Sequence, residues 1–441
     1  MTGHNRAGAI LRAAAIATTI VGLLGASAVA YEKPDLSAAI AEVEPRLIAW
    51  QQDIHQHPEL GNREFRTGKL VADHLTSLGL DEVRTGVAHT GVVGVLKGAL
   101  PGPVIALRAD MDALPVTERV DVPYASKVRA TYLGMDVGVM HACGHDAHTA
   151  ILMATAEVLA NNRDQLAGTV VFLFQPAEEG TPAGEDGGAT MMLDEGVFEN
   201  PRPEVVFGLH TGPFEHGALG VTKRGAMAGS DRLFITVRGK QTHGAMPEGG
   251  VDAINAAALI VTGLQNMVAR QMGASSSPSV VSIGKIEGGV RGNIITGLVE
   301  MTGTIRHLNP DTHEDLKQRI VHTAETIAES VGATAEVTIE QYAPVVFNDP
   351  DLVDRMTPTL QAAAGAGGFL GDRPPAMGAE DFAYLAREVP GMYFFLGVNK
   401  PNVPLGKAAP NHSPYFFVDS TSLITGVRAM VNLVTDYAAG E

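Results

Sequence analysis

The sequence predicts a two-domain α/β protein. A larger α/β domain with a mixed, mostly parallel sheet is interrupted by an inserted α+β domain, which has a four-stranded antiparallel sheet and two helices. Three observations predict this. At 441 residues the chain exceeds what one hydrophobic core usually serves. Up to Gly220, short apolar runs alternate with helical periodicity, as in parallel strands joined by crossover helices. After Gly220, alternating strand patterns surround two long helical segments, and from about Ala343 the first kind of pattern resumes.

The first thirty residues read as a separate object. Arg6 and Arg12 precede an uncharged apolar stretch over residues 13–26, and Ala28-Val29-Ala30 then supplies the small-x-small pattern cut by signal peptidase. That stretch falls short of the ~20 residues a membrane-spanning helix needs. The expected mature chain starts near Tyr31 and is periplasmic or secreted. No stable membrane association is expected after cleavage, because no later apolar run reaches the ~18 residues of a span.

Residues 36–80 repeat apolar side chains at three- and four-residue spacing, so they read as helices, with Gly79 closing the second. Val92-Val93-Gly94-Val95-Leu96 and Val104-Ile105-Ala106-Leu107 read as buried strands. A helix over 149–159, a strand over 169–174, a helix over 189–195 and a strand over 205–209 continue the alternation. The insert contributes strands at 233–237, 280–283, 299–306 and 335–339, with helices at 253–270 and 312–331. A strand at 392–396 and a helix at 420–437 close the chain. The Gly-rich run 365–371 does not fit a phosphate loop and reads as a plain loop. The expected domains are 31–221 with 341–441, and the insert 222–340.

Hydrophobic residues make up 45% of the chain and charged ones 18%, which is ordinary for a globular protein. The formal charge, 32 − 49 = −17, argues against nucleic acid or an anionic membrane as partner. An anionic substrate would have to be met by a few local arginines. The chain has one cysteine, Cys143, so no internal disulfide exists. A lone thiol in an oxidising compartment is a liability unless it is buried or metal-bound.

Five features carry chemistry. In His141-Ala142-Cys143-Gly144-His145-Asp146-Ala147-His148, thiolate and imidazole are zinc's favoured ligands, and a tight turn through Gly144 can aim Cys143 and His145 at one point. His141 and His148 read as supporting or packing residues. Glu178 and Glu179 follow a strand in Phe174-Gln175-Pro176-Ala177-Glu178-Glu179, and one of such a pair can bind metal while the other handles a proton. Asp110 and Asp112 also follow a strand and suit the task of orienting a ligand. His210 stands after the strand 205–209, and His412 sits in a proline-constrained loop. Three of the five follow apparent strands, and an open α/β sheet gathers its strand ends along one edge.

The ordered set RADMDALP, MHACGHDAHT, FQPAEEG, GLH, HGAMPEGGVDA, GGVRGNIIT, GTIR, GAEDFAY and NHSPYF, after an opening His55-Gln56-His57-Pro58-Glu59-Leu60, resembles a known family. It is similar to bacterial aminoacylases, hippurate hydrolases and plant hydrolases of auxin–amino acid conjugates, within the aminoacylase/carboxypeptidase family of two-metal peptidases. The resemblance spans residues 42–439. It implies two divalent metal ions per subunit, zinc or manganese, with cobalt or nickel also able to serve. It implies Cys143 as the bridge, His145 and His210 on one metal, and Glu179 and His412 on the other. Glu178 would be the general base toward metal-activated water, with Asp112 orienting a ligand. The insert would be a dimerisation and lid domain, making a homodimer in which His243 reaches the partner's site to stabilise the oxyanion. Asn293 and Arg306 would hold the substrate's carboxylate and carbonyl. The segment 181–188 is longer than its counterpart in the plant enzymes, which puts the pocket's shape in question.

The implied reaction is hydrolysis of the amide bond of an N-acyl or N-aroyl amino acid. A carboxypeptidase or dipeptidase acting on short peptides would use the same chemistry. Two other classes are a periplasmic binding protein without catalysis, against which Glu178 speaks, and a thiol hydrolase with Cys143 as nucleophile.

Overall fold

The computed structural model describes residues 31–440; the expected signal peptide lies outside the described residues. An eight-stranded mixed sheet organises the larger part of the chain. Its order is Glu82–Val87, Gly91–Lys97, Ala167–Gln175, Leu100–Asp110, Val205–Gly212, Gly391–Gly397, Leu219–Val221 and Phe369–Asp372. The central four, Ala167–Gln175 to Gly391–Gly397, run parallel. Antiparallel strands flank them on both sides.

These central strands are apolar on both faces because both faces are covered. Ile105, Leu107, Phe172 and Phe174 point into one core, with helices Ser37–Gln56, His145–Asn161, Pro350–Ala364 and Leu423–Ala439. Ala106, Val171 and Leu173 point into the other, with Ala189, Met192 and Phe382 of two short helices. Helix His145–Asn161 is buried over nearly its whole length, wedged between the sheet and helices Ser37–Gln56 and Leu423–Ala439. Its run of Ala, Ile, Leu, Met and Val has no polar face, the composition of a helix surrounded by protein.

The second sheet is antiparallel, in the order Ser279–Gly288, Leu298–His307, Gly229–Arg238 and Thr334–Ala343. Leu233, Ile235 and Val237 alternate with more exposed neighbours and share a separate core with helices Ala253–Gln271 and His313–Ser330. Asp252 caps the first of these by accepting from the N–H groups of Ile254 and Asn255. The chain enters and leaves this unit through paired strands Arg224–Met227 and Val346–Asn348.

Three expectations need correction. The last part of the Gly-rich run is not loop: Phe369–Asp372 pairs parallel with Leu219–Val221 at the sheet's edge. Such a short strand is held by its neighbour and has no pattern of its own to announce it. The fourth strand of the insert runs on to Ala343, beyond the expected 339. Finally, His210 lies inside strand Val205–Gly212 and does not follow it, because the ladder with Gly391–Gly397 continues through Gly212.

Candidate metal centre

Parallel pairing brings the ends of the central strands to one edge. Asp110 lies beside Gln175, and the Met111 N–H donates to the Gln175 carbonyl at 2.8 Å. The chain beyond Gln175 turns through Ala177, whose φ is +52°, before presenting Glu178 and Glu179. That turn is held by Glu64, which accepts from the Ala177 N–H at 2.9 Å and the Thr90 hydroxyl at 2.6 Å. Asp112 then accepts the N–H of Glu178 on one oxygen, at 3.1 Å, and that of Glu179 on the other, at 3.0 Å.

Cys143 and His145 flank Gly144, whose φ of +98° turns the chain into helix His145–Asn161. A Cβ there would stand 2.2 Å from the Thr211 hydroxyl oxygen, so both the conformation and the space demand glycine. His412 enters from a separate loop with φ +68°, and its N–H donates to the Ala142 carbonyl at 2.7 Å. The Asn411 amide spans the gap, donating to the carbonyls of Cys143 and Thr211.

The hydrogen bonds set the histidine tautomers. Nδ1 of His145 donates to Asp112 Oδ1 at 3.1 Å, and Nδ1 of His210 donates to the Thr211 carbonyl at 2.7 Å. In each ring Nε2 is left facing the cluster, as in a metal-binding imidazole. His210 Nε2 lies 3.4 Å from Cys143 Sγ. His145 Nε2 is buried with no hydrogen-bond partner. His412 Nε2 lies 2.9 Å from Glu179 Oε1, close but not aligned as a hydrogen bond. The donor atoms of Cys143, His145 and His210 lie within 4.8 Å of one another, and so do those of Cys143, Glu179 and His412. The two groups meet at Cys143 Sγ. By contrast, both nitrogens of His148 are engaged, Nδ1 with Asp110 at 2.6 Å and Nε2 with the Thr211 N–H at 2.8 Å.

The electrostatics ask for positive charge. Burial would lower the pKa of His145, yet Asp110, Asp112 and Glu179 push it up to about 10. Burial, with Glu380 and Glu179 nearby, pushes the Glu178 carboxyl well above its usual range. Burial, with Glu179 and Glu178 nearby, pushes the Cys143 thiol up as well. Burial lowers His210 to about 4, so it is no imidazolium partner for a thiolate. A cysteine nucleophile needs the opposite shift, which tells against the thiol-hydrolase reading. An unpartnered imidazole nitrogen, a thiol and a carboxylate crowded together fit divalent cations instead.

Sequence reasoning assigned no role to Arg108, Glu380 or Asp381, although all three stand in the quoted motifs. Arg108 is fully buried and bonds Asp110 at 2.6 Å, Glu380 at 2.9 Å, Asp381 at 2.8 Å and Gln175 at 2.9 Å. Asp381 also accepts the Ala189 N–H at 2.8 Å, fixing the far end of the segment 181–188. Glu185 in that segment pairs with Arg63 at 2.6 Å.

A cavity of about 580 Å³ opens beside the cluster. Cys143, Glu178, Glu179, His210 and His412 form its floor, Phe214, Met227, Tyr342 and Phe395 contribute walls, and Thr181 and Gly187 bring in the segment 181–188. Arg306 reaches this cavity from the insert, its Nη1 donating to the Thr304 hydroxyl and the Ile305 carbonyl. His243 and Asn293 do not line it. They lie together on an exposed part of the insert, where the Gly244 N–H donates to the Asn293 carbonyl at 2.8 Å.

Comparison with known proteins decides the family. Residues 106–436 match Peptidase family M20/M25/M40. The chain belongs to that family. This M20 member is 38% identical over 402 residues to thermostable carboxypeptidase 2 of Saccharolobus solfataricus, covering 90% of this chain and 97% of that protein. It is 36% identical over 389 residues to an N-acetylcysteine deacetylase of Bacillus subtilis, covering 88% and 96%. Among solved structures, the Bacillus subtilis YXEP protein, titled a dinuclear metal binding peptidase from the M20 family, superposes with a TM-score of 0.76. That pair shares 34% identity over 90% of this chain and 99% of the other. The M20 chain described here is a metal-dependent amide hydrolase, with donor groups for two divalent metals.

Proposed function

We propose that this enzyme hydrolyses the amide bond of N-acyl or N-aroyl amino acids, releasing a carboxylic acid and an amino acid. The observation that carries the reading is the pair of donor groups sharing Cys143 Sγ, with Glu178 beside them on the floor of a cavity that Arg306 also lines. In this reading His145 and His210 hold one ion, Glu179 and His412 the other, and Cys143 both. Two divalent ions there, zinc or manganese, with cobalt or nickel also accommodated, supply Lewis acidity toward the attacking water and the scissile carbonyl. Glu178 takes the proton of the attacking water and passes it to the leaving nitrogen as the C–N bond breaks. Its raised pKa suits a group that must hold a proton between those two steps, and the ions' charge would offset the surrounding carboxylates. Asp112 keeps both glutamates and His145 in place. The Arg306 guanidinium suits the substrate's carboxylate because it can bond bidentately.

His243 accepts the Ala245 N–H on Nδ1, at 3.0 Å, which leaves Nε2 as the nitrogen able to donate to a substrate. We read it, with Asn293, as completing the site of a partner subunit. Support comes from the outer strand Ser279–Gly288, an unpaired sheet edge with Val280 43% and Ile286 54% exposed. The protein is read as periplasmic or secreted. Among the described residues no helix is long and apolar enough to cross a membrane.

The test is a hydrolysis screen on the metal-loaded protein, covering N-acetyl, N-benzoyl and longer acyl amino acids beside dipeptides. Faster turnover of dipeptides than of every acyl amino acid would replace this reading with the peptidase one. Chelation should abolish activity and zinc or manganese restore it. Activity that survives chelation would revive the thiol mechanism.

A further inference from the structure

The cavity beside the metal centre has an aromatic corner that the proposed chemistry leaves without a task. Phe395 is the direct ladder partner of His210, so both side chains leave the sheet on the same face, with ring centroids 6.2 Å apart. Phe214 follows strand Val205–Gly212 and sets its ring perpendicular to that of Phe395, at 89° with centroids 6.2 Å apart. Both rings line the cavity.

Two glycines and an arginine shape this corner. A Cβ on Gly212 would stand 2.3 Å from Phe214 Cε2, and one on Gly220 would stand 2.3 Å from Arg373 Cδ. Glycine at these positions leaves space for the Phe214 ring and the Arg373 stem. The Arg373 guanidinium carbon then sits 3.3 Å from the centre of the Phe214 ring and 5.2 Å from that of Phe395. Its Nη1 is buried with no hydrogen-bond partner among the described residues, so the rings are what it meets. The Thr222 hydroxyl holds the backbone there, donating to the Arg373 carbonyl at 2.8 Å. A cation is attracted to the negative face of an aromatic ring, and this one pins Phe214 from behind.

The other walls differ in chemistry. Arg306, Tyr342 and Ala343 come from the insert, where Ser230 pairs with both Arg306 and Ala343. With Arg306 on the substrate's carboxylate, the amino acid half lies on that side. The segment 181–188 offers Thr181, Gly187 and Gly188, which are small or polar. The acyl group is left with the corner beside His210. Two perpendicular rings suit a flat aromatic group, which can stack on one and meet the other edge to face. On the reading that N-acyl amino acids are the substrates, we propose that Phe214 and Phe395 form the acyl-group subsite, that it selects aromatic acyl groups over acetyl, and that Arg373 positions it. Arg373 acts through Phe214 and touches no substrate atom.

Steady-state kinetics of the metal-loaded enzyme on N-benzoylglycine, N-acetylglycine and N-acetylphenylalanine tests this. Burial of one more ring should favour N-benzoylglycine over N-acetylglycine about 10–100-fold in kcat/KM. Phe214→Ala should lower that ratio about tenfold. Arg373→Met should lower it too, and Arg373→Lys, which keeps a cation near the ring, should recover most of it. A general loss of stability would slow both glycine substrates together and leave the ratio as it was. A wild type that prefers N-acetylglycine, or an unchanged ratio in Phe214→Ala, overturns the subsite. So does a loss confined to N-acetylphenylalanine, which would make the corner a pocket for the amino acid side chain. Benzoate, the acid product, gives a check free of variant folding and of the reaction itself. In crystals of the wild type soaked with benzoate its ring should lie against Phe214 and Phe395, and a ring elsewhere, or none, overturns the proposal. If no acyl amino acid is turned over while benzoate binds in the corner, the reaction reading fails and the subsite stands.

Discussion

The carboxylate of Asp112 stands 3.1 Å from Nδ1 of His145, and the same group accepts the N–H of both Glu178 and Glu179. One side chain thereby orients a metal-binding imidazole and the two glutamates that complete the site. Asp112→Asn preserves the shape but loses an acceptor and the charge that fixes the His145 tautomer. Metal affinity should fall about 10–100-fold, as measured by competition with a chromophoric chelator. Unchanged affinity would mean that the turn and Glu64 alone hold the geometry.

Replacing Glu178 separates proton transfer from metal binding. In Glu178→Gln the metal content should stay at the wild-type value, and kcat should fall by about 10²–10⁴. Metal analysis beside steady-state kinetics checks both. A variant that loses metal would make Glu178 a ligand instead of the base.

For His243 the expected signature is a split between kinetic constants. His243→Ala should lower kcat about 10²–10³-fold, the cost of losing one oxyanion donor, with little change in KM. Its exposed position in a single chain ties the prediction to assembly. A monomer of full activity, shown by light scattering and assay of the same sample, would refute the cross-subunit role.

The buried pair His55 and Asp146 supports the helix that begins at His145. Its atoms lie 2.8 Å apart, and Glu118 adds a second carboxylate at 3.2 Å. Burial alone would lower His55, but Asp146 and Glu118 outweigh it and push the pKa up to about 10. Asp146, raised by burial but lowered more by His55, falls to about 2. The His55 contribution is therefore complete below pH 6.5 and lost as pH rises through about 10. The Asp146 contribution is complete above about pH 4 and lost as pH falls through about 2. His55→Leu should cost about 3–5 kcal/mol at pH 6, because it strands a buried charge. The gap to wild type should narrow at pH 10.5, and denaturant unfolding at the two pH values would reveal a constant gap if the pairing is irrelevant.

Much of the site was legible in the sequence because most of its residues cluster in short motifs. Cys143 and His145 flank one glycine at the start of a helix, Glu178 and Glu179 are neighbours, and an apolar run marks the strand that delivers the glutamates. Local patterning also determined the insert, since the alternation at 233–237 and the helical periods at 253–270 and 312–331 are properties of the chain alone. Tertiary structure decided what sequence distance conceals. Arg108 meets Glu380 and Asp381 only because parallel strands lie side by side, and no spacing records that. Glu64 holds the Ala177 turn across more than a hundred residues. Phe214, Phe395 and Arg373 converge through the pairing of distant strands, and none of the three stood out alone. His243 and Asn293 read like substrate contacts but lie outside the cavity of their own chain, because a motif specifies chemistry while only packing specifies place.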